Sequence, residues 1–256
     1  MLQDVSSQNI FRRPEANARA VVKPGLPRYV EAPLALVGLI LVAPIIALAS
    51  LVIVLTSPGP ALFRQKRVGR GGREFVMYKL RSMRQANSGA LYTASGDPRV
   101  TSFGRLLRKL KLDELPELWN VVQGEMSLLG PRPELPQYVD LENPLWQFIL
   151  RARPGITDPV TLRLRNEEEL LAGVDGDRER FYREELQPYK LIGYAEYLEM
   201  RSWVNDLRLL LETAAAILRP RSIRVPTREQ IRERVRNYSM RHREDGPRAQ
   251  WQLQQH

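Results

Sequence analysis

An adjacent pair of carboxylates, Asp113-Glu114, stands at the end of the most basic stretch of the chain, and an arginine between two prolines, Pro131-Arg132-Pro133, follows downstream. Asp and Glu side by side can hold Mg²⁺ when water and substrate phosphates complete an octahedron. The run Leu112-Asp113-Glu114-Leu115-Pro116-Glu117-Leu118-Trp119 reads as a helix start, where free N–H groups attract phosphate and keep a carboxylate ionised. A guanidinium held in a stiff Pro-Arg-Pro turn can grip a phosphate with two parallel N–H donors. Together these are parts for phosphoryl transfer. Each also has a plainer reading: Asp113 as an ordinary helix N-cap, and Arg132 as an exposed residue of a structural turn.

The surrounding charge favours an anionic partner. Between Arg64 and Lys111 there are 13 basic residues, opposed only by Glu74 and Asp97, in a chain of net charge +10. Phospholipid headgroups, nucleic acid and phosphorylated substrates all suit such a segment. The absence of cysteine excludes disulfides, thiol nucleophiles and thiolate metal sites. With His242 and His256 the only histidines, both in the polar C-terminal part, histidine acid–base catalysis is disfavoured. The Gly69-Arg70-Gly71-Gly72 loop lacks P-loop spacing, and Ser127 does not sit in a nucleophile elbow.

The elements that must position these residues begin with an apolar run. Ala32 to Thr56 is 25 residues without a charge or histidine, about 37 Å as a straight helix and enough to cross a bilayer. Pro44 near its middle predicts a break. Basic residues flank both ends, and basic flanks prefer the cytoplasm. A re-entrant helix–break–helix over about residues 32–56 satisfies both flanks, and a kinked spanning helix is the competing reading. Ser57-Pro58-Gly59-Pro60 should end the segment. Ala61–Val68 and Arg73–Leu80 predict a β-hairpin. Thr101 or Ser102 caps a basic amphipathic helix carrying Phe103, Leu106, Leu107 and Leu110, suited either to a lipid interface or to its own core. Asn143-Pro144 starts another helix, Asn166–Gly173 a short acidic one, and Tyr189–Leu218 is strongly helical. Residues 1–28 read as a flexible basic arm, 85–96 as a polar linker and 219–256 as a basic C-terminal tail. The fold class is thus α+β, mainly helical, with the body in residues 29–218.

Seven ordered blocks carry a family resemblance. They are Ser57-Pro58-Gly59-Pro60 through Phe63-Arg64-Gln65-Lys66-Arg67-Val68-Gly69; Tyr78-Lys79-Leu80-Arg81-Ser82-Met83; Leu112-Asp113-Glu114-Leu115-Pro116; Asn120-Val121; Gly124-Glu125-Met126-Ser127; Gly130-Pro131-Arg132-Pro133; and Arg153-Pro154-Gly155-Ile156-Thr157. In order and spacing they resemble the bacterial sugar transferases, the monotopic polyprenyl-phosphate phosphoglycosyl transferases, in their short catalytic-only form. The resemblance implies transfer of a sugar-1-phosphate from a UDP-sugar to undecaprenyl phosphate with release of UMP. It implies Asp113 as nucleophile, forming a covalent phosphosugar ester, and Glu114 as the partner carboxylate associated with Mg²⁺. It makes Arg132 a phosphate contact and puts Lys79, Arg81, Arg108 and Arg153 among the basic motif positions. It also implies a re-entrant hairpin broken at Pro44, interfacial helices, anionic lipids as partners, a possible homodimer and a place on the cytoplasmic face of the bacterial inner membrane. Nucleic acid is not an expected partner. Where the family often has Ser-Pro at the break, this chain has Ala43-Pro44; where it often has a basic pair and an Asp before the hairpin, here stand Arg28 and Glu31.

The alternative function class is a non-catalytic membrane adaptor holding anionic lipid or a protein. Charge and hydropathy fit both classes, but an adaptor has no need of Asp113-Glu114 beside a rigid Arg132.

Overall fold

The computed structural model describes residues 21–84, 95–218 and 225–253, with side chains at 217–218 and 241–253 left aside. Most of the arm (1–20), most of the polar linker (85–94) and parts of the tail (219–224, 254–256) lie outside the described residues. The order of elements is α1 (Arg28–Thr56), β1 (Leu62–Val68), β2 (Glu74–Leu80), α2 (Ser102–Lys109), α3 (Glu117–Gln123), β3 (Ser127–Leu129), α4 (Pro144–Ile149), β4 (Gly155–Thr157), α5 (Pro159–Arg163), α6 (Glu167–Ala172), α7 (Arg178–Phe181), α8 (Gln187–Met200), α9 (Trp203–Leu218) and α10 (Arg228–Leu253). The mainly helical α+β expectation holds, with one apolar N-terminal helix and two small sheets.

The helix α1 runs through both Pro33 and Pro44, so the helical pattern is not interrupted at the expected break. An interior proline removes one hydrogen bond and bends a helix, but it ends one only where the neighbouring turns are not held. Here both halves are held. Near the start, Arg28 Nη2 donates to Val122 O at 2.9 Å, and Glu31, 2% exposed, accepts from Leu128 N at 2.8 Å and from the Ser127 hydroxyl. Farther on, Ala49 and Ile53 pack against Leu80 and Leu107. Covered positions recur as Glu31, Ala35, Gly38, Val42, Ile46, Ala49 and Ile53, one stripe at helical spacing. The other faces present Leu34, Val37, Leu41, Leu48, Leu51 and Leu55 outward.

The Glu31 contacts make a prediction. Glu31→Ala leaves a buried N–H and a buried hydroxyl without an acceptor, which costs roughly 2 kcal/mol. The melting temperature in detergent or nanodiscs should fall by several degrees, whereas Glu31→Gln should recover part of the loss. An unchanged melting curve for the alanine variant would show that this contact does not hold α1 to the body.

The hairpin β1–β2 is antiparallel, with Leu62 opposite Leu80 and Val68 opposite Glu74. A second sheet, not expected from the sequence, pairs β3 and β4 in parallel, Ser127 with Gly155 and Leu129 with Thr157. The two chains approach so closely that a Cβ on Gly155 would lie 2.1 Å from Gly130 N. Only glycine admits that spacing, and it fixes the strand that leads into Pro131-Arg132-Pro133.

Several expectations are corrected. The helical stretch from Tyr189 to Leu218 is two helices. Arg201, extended between them, pairs with Asp206 at 2.9 Å and donates to Leu129 O. Asp206, fully buried, also accepts from Leu26 N at 3.0 Å and Tyr197 Oη at 2.8 Å. Residues 21–27 are therefore not a free arm: Leu26 is tied to Asp206, Lys23 N donates to Leu198 O, and Val22 and Leu26 pack on the core. Nor is all of 219–256 a tail, since α10 docks on α8 and buries Ile231 and Val235. Two apolar positions four apart suffice for docking, too few to stand out in an arginine-rich stretch. Thr101 caps α2 as expected, its hydroxyl accepting from Gly104 N at 2.9 Å. The apolar side of α2 divides: Leu107 is buried against α1, whereas Leu106 and Leu110 are exposed.

Candidate active site

Asp113 does not cap a helix. It lies in a tight 3₁₀ turn, Leu112–Glu114, ahead of Pro116 and α3, and its side chain makes no cap hydrogen bond. Lys111 before it has φ 57°, the only positive φ of a non-glycine among the described residues. A lysine held in the left-handed region costs backbone energy, and the return here is a sharp turn that sets Asp113 and Glu114 at one end of a cleft. That cleft has a volume of about 400 Å³, and Lys79, Arg108, Lys111, Asp113, Glu114 and Arg132 line this end.

The two carboxylates are treated very differently. Glu114 accepts from Lys79 Nζ at 3.0 Å and from both Nη atoms of Arg132. Burial pushes its pKa up, but Arg132 and Lys79 outweigh burial and hold it well below the usual carboxylate range. Arg132 is raised in turn: burial opposes its charge, and Glu114 and Glu117 more than compensate. Asp113, 7% exposed, keeps Oδ1 buried without a hydrogen bond to any described residue. Burial first, then the neighbouring Glu114, push its pKa up, and Lys79 and Lys111 only partly oppose this. One carboxylate is clamped and ionised; its neighbour is unpaired and more basic. Environments that separate two adjacent acids are a feature of sites where they have different tasks.

The hairpin supplies Lys79 from β2, and the parallel pair supplies Arg132. Arg132 Nη1 also donates to Ile156 O at 3.3 Å, so β4 fixes the guanidinium. Asn120 ties the pieces together, accepting from Tyr78 N at 3.2 Å and donating to Val76 O and Glu125 at 2.7 Å.

Of the basic positions expected to contact phosphate, Lys79, Arg108 and Arg132 reach the cleft. Arg108 is paired there with Glu168, Nε to Oε1 at 3.0 Å. Arg81 does not reach it. It is 6% exposed and donates to Ser57 O at 2.6 Å and to Pro58 O, fastening the turn that ends α1. Arg153 is also outside the cleft lining. An arginine beside a strand end has either option, and only the chain's direction after that point decides.

Sequence reasoning missed Lys111, Glu117 and the far wall of the cleft. Glu117 is fully buried, its Oε1 3.3 Å from Lys79 Nζ. Burial raises its pKa, against the opposing pull of Lys79. Its place one turn after Asp113 was a usable signal. The far wall comes from α5, α6 and α8, too distant in sequence to be grouped by spacing.

Comparison with known proteins adds the family. A family model described as "Bacterial sugar transferase" matches residues 22–220. A protein of Bacillus subtilis (strain 168), provisionally named an undecaprenyl-phosphate N-acetylgalactosaminyl 1-phosphate transferase, is 46% identical over 124 residues, 47% of this chain and 69% of that protein. The UDP-glucose:undecaprenyl-phosphate glucose-1-phosphate transferase of Caulobacter vibrioides is 39% identical over 183 residues, 70% of this chain and 64% of that protein. The Escherichia coli (strain K12) protein of the same name is 40% identical over 129 residues, 48% of this chain and 28% of that protein. The chain thus spans less than two thirds of the latter two relatives.

Proposed function

Because the chain belongs to the bacterial sugar transferase family, we propose that it transfers a sugar-1-phosphate from a UDP-sugar to undecaprenyl phosphate at a membrane. The carrying observation is the unpaired, buried Asp113 at the end of a cationic cleft, beside a Glu114 already neutralised by Arg132 and Lys79. A second carboxylate that took no part would not need such separation.

In this reading an oxygen of Asp113 attacks the phosphorus next to the sugar. The bond to the bridging oxygen of the diphosphate breaks, UMP leaves with that oxygen, and an aspartyl phosphosugar ester remains. An oxygen of the lipid phosphate then attacks the same phosphorus, and Asp113 leaves as a carboxylate. Lys79 and Arg132 hold the diphosphate oxygens as charge shifts between them. To do so they release part of their hold on Glu114, which keeps them ordered until substrate arrives.

The residues present fit Mg²⁺. Asp113 has a buried oxygen with no partner among the described residues and is the ligand left open, whereas both oxygens of Glu114, next to it in one turn, are held by Lys79 and Arg132. Among the described residues no group of three or more acidic or histidine side chains forms a metal cage, so diphosphate and water would complete the shell. When bound, the ion would neutralise charge on the diphosphate and its leaving group.

The reaction is tested by UMP release from a panel of UDP-sugars with undecaprenyl phosphate and Mg²⁺. Release that requires the lipid phosphate for more than one turnover is expected. Lipid binding with no UMP from any donor would favour the adaptor.

The membrane topology has its own support. The start of α1 is tied to Val122 and Leu128, and its end packs on Leu80 and Leu107, so both ends touch one body. A helix crossing the bilayer would carry one end away from that body. A helix that bends at Pro44 and lies within one leaflet, both of its ends on the body, fits both attachments, with both termini cytoplasmic. The exposed Trp203, Val204, Leu207 and Leu211 of α9, and Leu106 and Leu110 of α2, suit contact with the interface. Single cysteines introduced at residues 10 and 90 of this cysteine-free chain should both react with an impermeant thiol reagent from the cytoplasmic side of oriented inner-membrane vesicles. Labelling from opposite sides would mean that α1 spans.

A further inference from the structure

Lys79 stands between two carboxylates that differ in their access to the cleft. Its Nζ donates to Glu114 Oε1 at 3.0 Å and lies 3.3 Å from Glu117 Oε1. Glu114 lines the cleft, whereas Glu117 is fully buried and is not among the lining residues. Oε2 of Glu117 has no hydrogen-bond partner among the described residues, and Lys79 is the one cation there within ion-pair distance of it. A carboxylate buried in this way is unfavourable unless a cation stays with it. The element that carries Glu117 also holds the strand that carries Lys79. Glu117 opens α3, and Asn120, three residues on, lies on the same face. Asn120 accepts from Tyr78 N and donates to Val76 O, while Glu117 meets the side chain of the next residue of β2. One face of α3 thus fixes both the backbone beside Lys79 and its ammonium.

Resting on the transferase reading, we propose that Glu117 is the positioning residue of Lys79, staying with the ammonium while Lys79 turns from Glu114 to the diphosphate of the bound donor. An ammonium has three N–H donors on a flexible four-carbon stem. With one turned toward Glu117, the others remain for Glu114 at rest and for phosphate oxygens once the donor is bound. The diphosphate competes with Glu114, which shares the cleft with it, and does not reach Glu117, which stands behind the lining. Glu117 therefore touches no reacting atom and acts only through Lys79. Without it the ammonium has a single carboxylate, the one that faces the substrate, and no fixed point when that contact is given up. Placement of this kind matters because small displacements of a charge-stabilising group are costly in rate.

The test is a double-mutant cycle on the full chain in nanodiscs, with the UDP-sugar that the unaltered protein uses best, undecaprenyl phosphate and Mg²⁺, and with UDP as a competitor. Glu117→Gln keeps the shape and removes the charge, so its melting temperature should change little. It should lower kcat/KM about tenfold and make UDP a weaker inhibitor. In a Lys79→Met background the same change should cost nothing further, because a residue that acts through another has no effect once that other is gone. Adding Glu117→Gln should also raise the melting temperature of Lys79→Met, whose buried Glu117 has lost its cation. Equal losses in both backgrounds would overturn the proposal, since Glu117 would then act through the fold. Tighter UDP with unchanged turnover in Glu117→Gln would overturn it as well, since Glu117 would then only lower the potential at the phosphates. If Lys79→Met does not fold, Glu117→Gln decides alone: full kcat/KM sinks the proposal, and a tenfold loss with weaker UDP and an unchanged melting temperature upholds it. Should the unaltered protein release no UMP from any donor, the transferase reading is lost, and titration calorimetry with UDP and Mg²⁺ then judges Glu117 separately. Weaker UDP binding in Glu117→Gln would uphold its hold on Lys79; equal or tighter binding would overturn it.

Discussion

Asp113→Asn should reduce turnover by roughly four orders of magnitude or more, the scale seen when a covalent nucleophile is removed. The same variant should form no phosphosugar adduct when incubated with labelled UDP-sugar alone. Its stability should not suffer. Asn has the same shape, Asp113 Oδ1 has no hydrogen-bond partner among the described residues, and burial opposes its charge. Replacing that charge with a neutral amide should leave the melting temperature equal or higher, the usual sign of a group kept for function at some cost in stability. Near-normal UMP release by a folded Asp113→Asn protein would sink the nucleophile assignment. So would an adduct that maps to another residue.

The same environment gives a pH dependence. The reactive form of Asp113 is the carboxylate. Its pKa is raised, first by burial and then by Glu114, so it protonates at a higher pH than an ordinary aspartate. The profile of kcat/KM reports groups of the free enzyme. Measured at Mg²⁺ well below saturation, where kcat/KM reports the metal-free enzyme, its acid limb should therefore fall away above the usual aspartate range, with activity lost as pH drops through the raised pKa. Glu114 is held well below its ordinary range, because Arg132 and Lys79 outweigh its burial, and should add no second inflection there. An acid limb at or below the ordinary aspartate value would contradict the unpaired, buried state of Asp113.

How much of this was legible in the sequence follows from how far apart the cooperating residues are. The hairpin was readable because two strand-length segments flank a glycine-rich loop, and the cap at Thr101 because capping is local. Asp113, Glu114 and Arg132 were readable because their motifs are compact. Long-range contacts were not. Nothing near Arg81 announces that it fastens the end of α1, and nothing near Glu31 that it will accept from Leu128. The parallel pairing of β3 with β4 joins two three-residue strands, too short for an alternation to show. Pro44 misled in a different way. A proline removes one helical hydrogen bond, but tertiary contacts on both sides keep the helix continuous. Tyr194 was seen only as one member of an apolar helical pattern, although it lines the cleft.

Arg132→Lys separates charge from shape at the phosphate. The guanidinium holds Glu114 through both Nη atoms and is itself fixed by Ile156 O at 3.3 Å, between Pro131 and Pro133. A lysine there keeps one positive charge near Glu114, and Lys79 remains at 3.0 Å, so the carboxylate is not left bare. The melting temperature should change little. What is lost is the planar pair of donors, which a single ammonium cannot reproduce on a phosphate. Removing one preorganised donor of this kind typically costs about 10² to 10³ in rate. The expected result is therefore a loss of about that size in kcat/KM, with adduct formation slowed by the same factor, since the same phosphate is gripped in that step. Full activity with lysine would reduce Arg132 to a general positive charge. A large fall in stability with normal activity per folded molecule would make it a brace for the β3–β4 turn and leave the phosphate to Lys79.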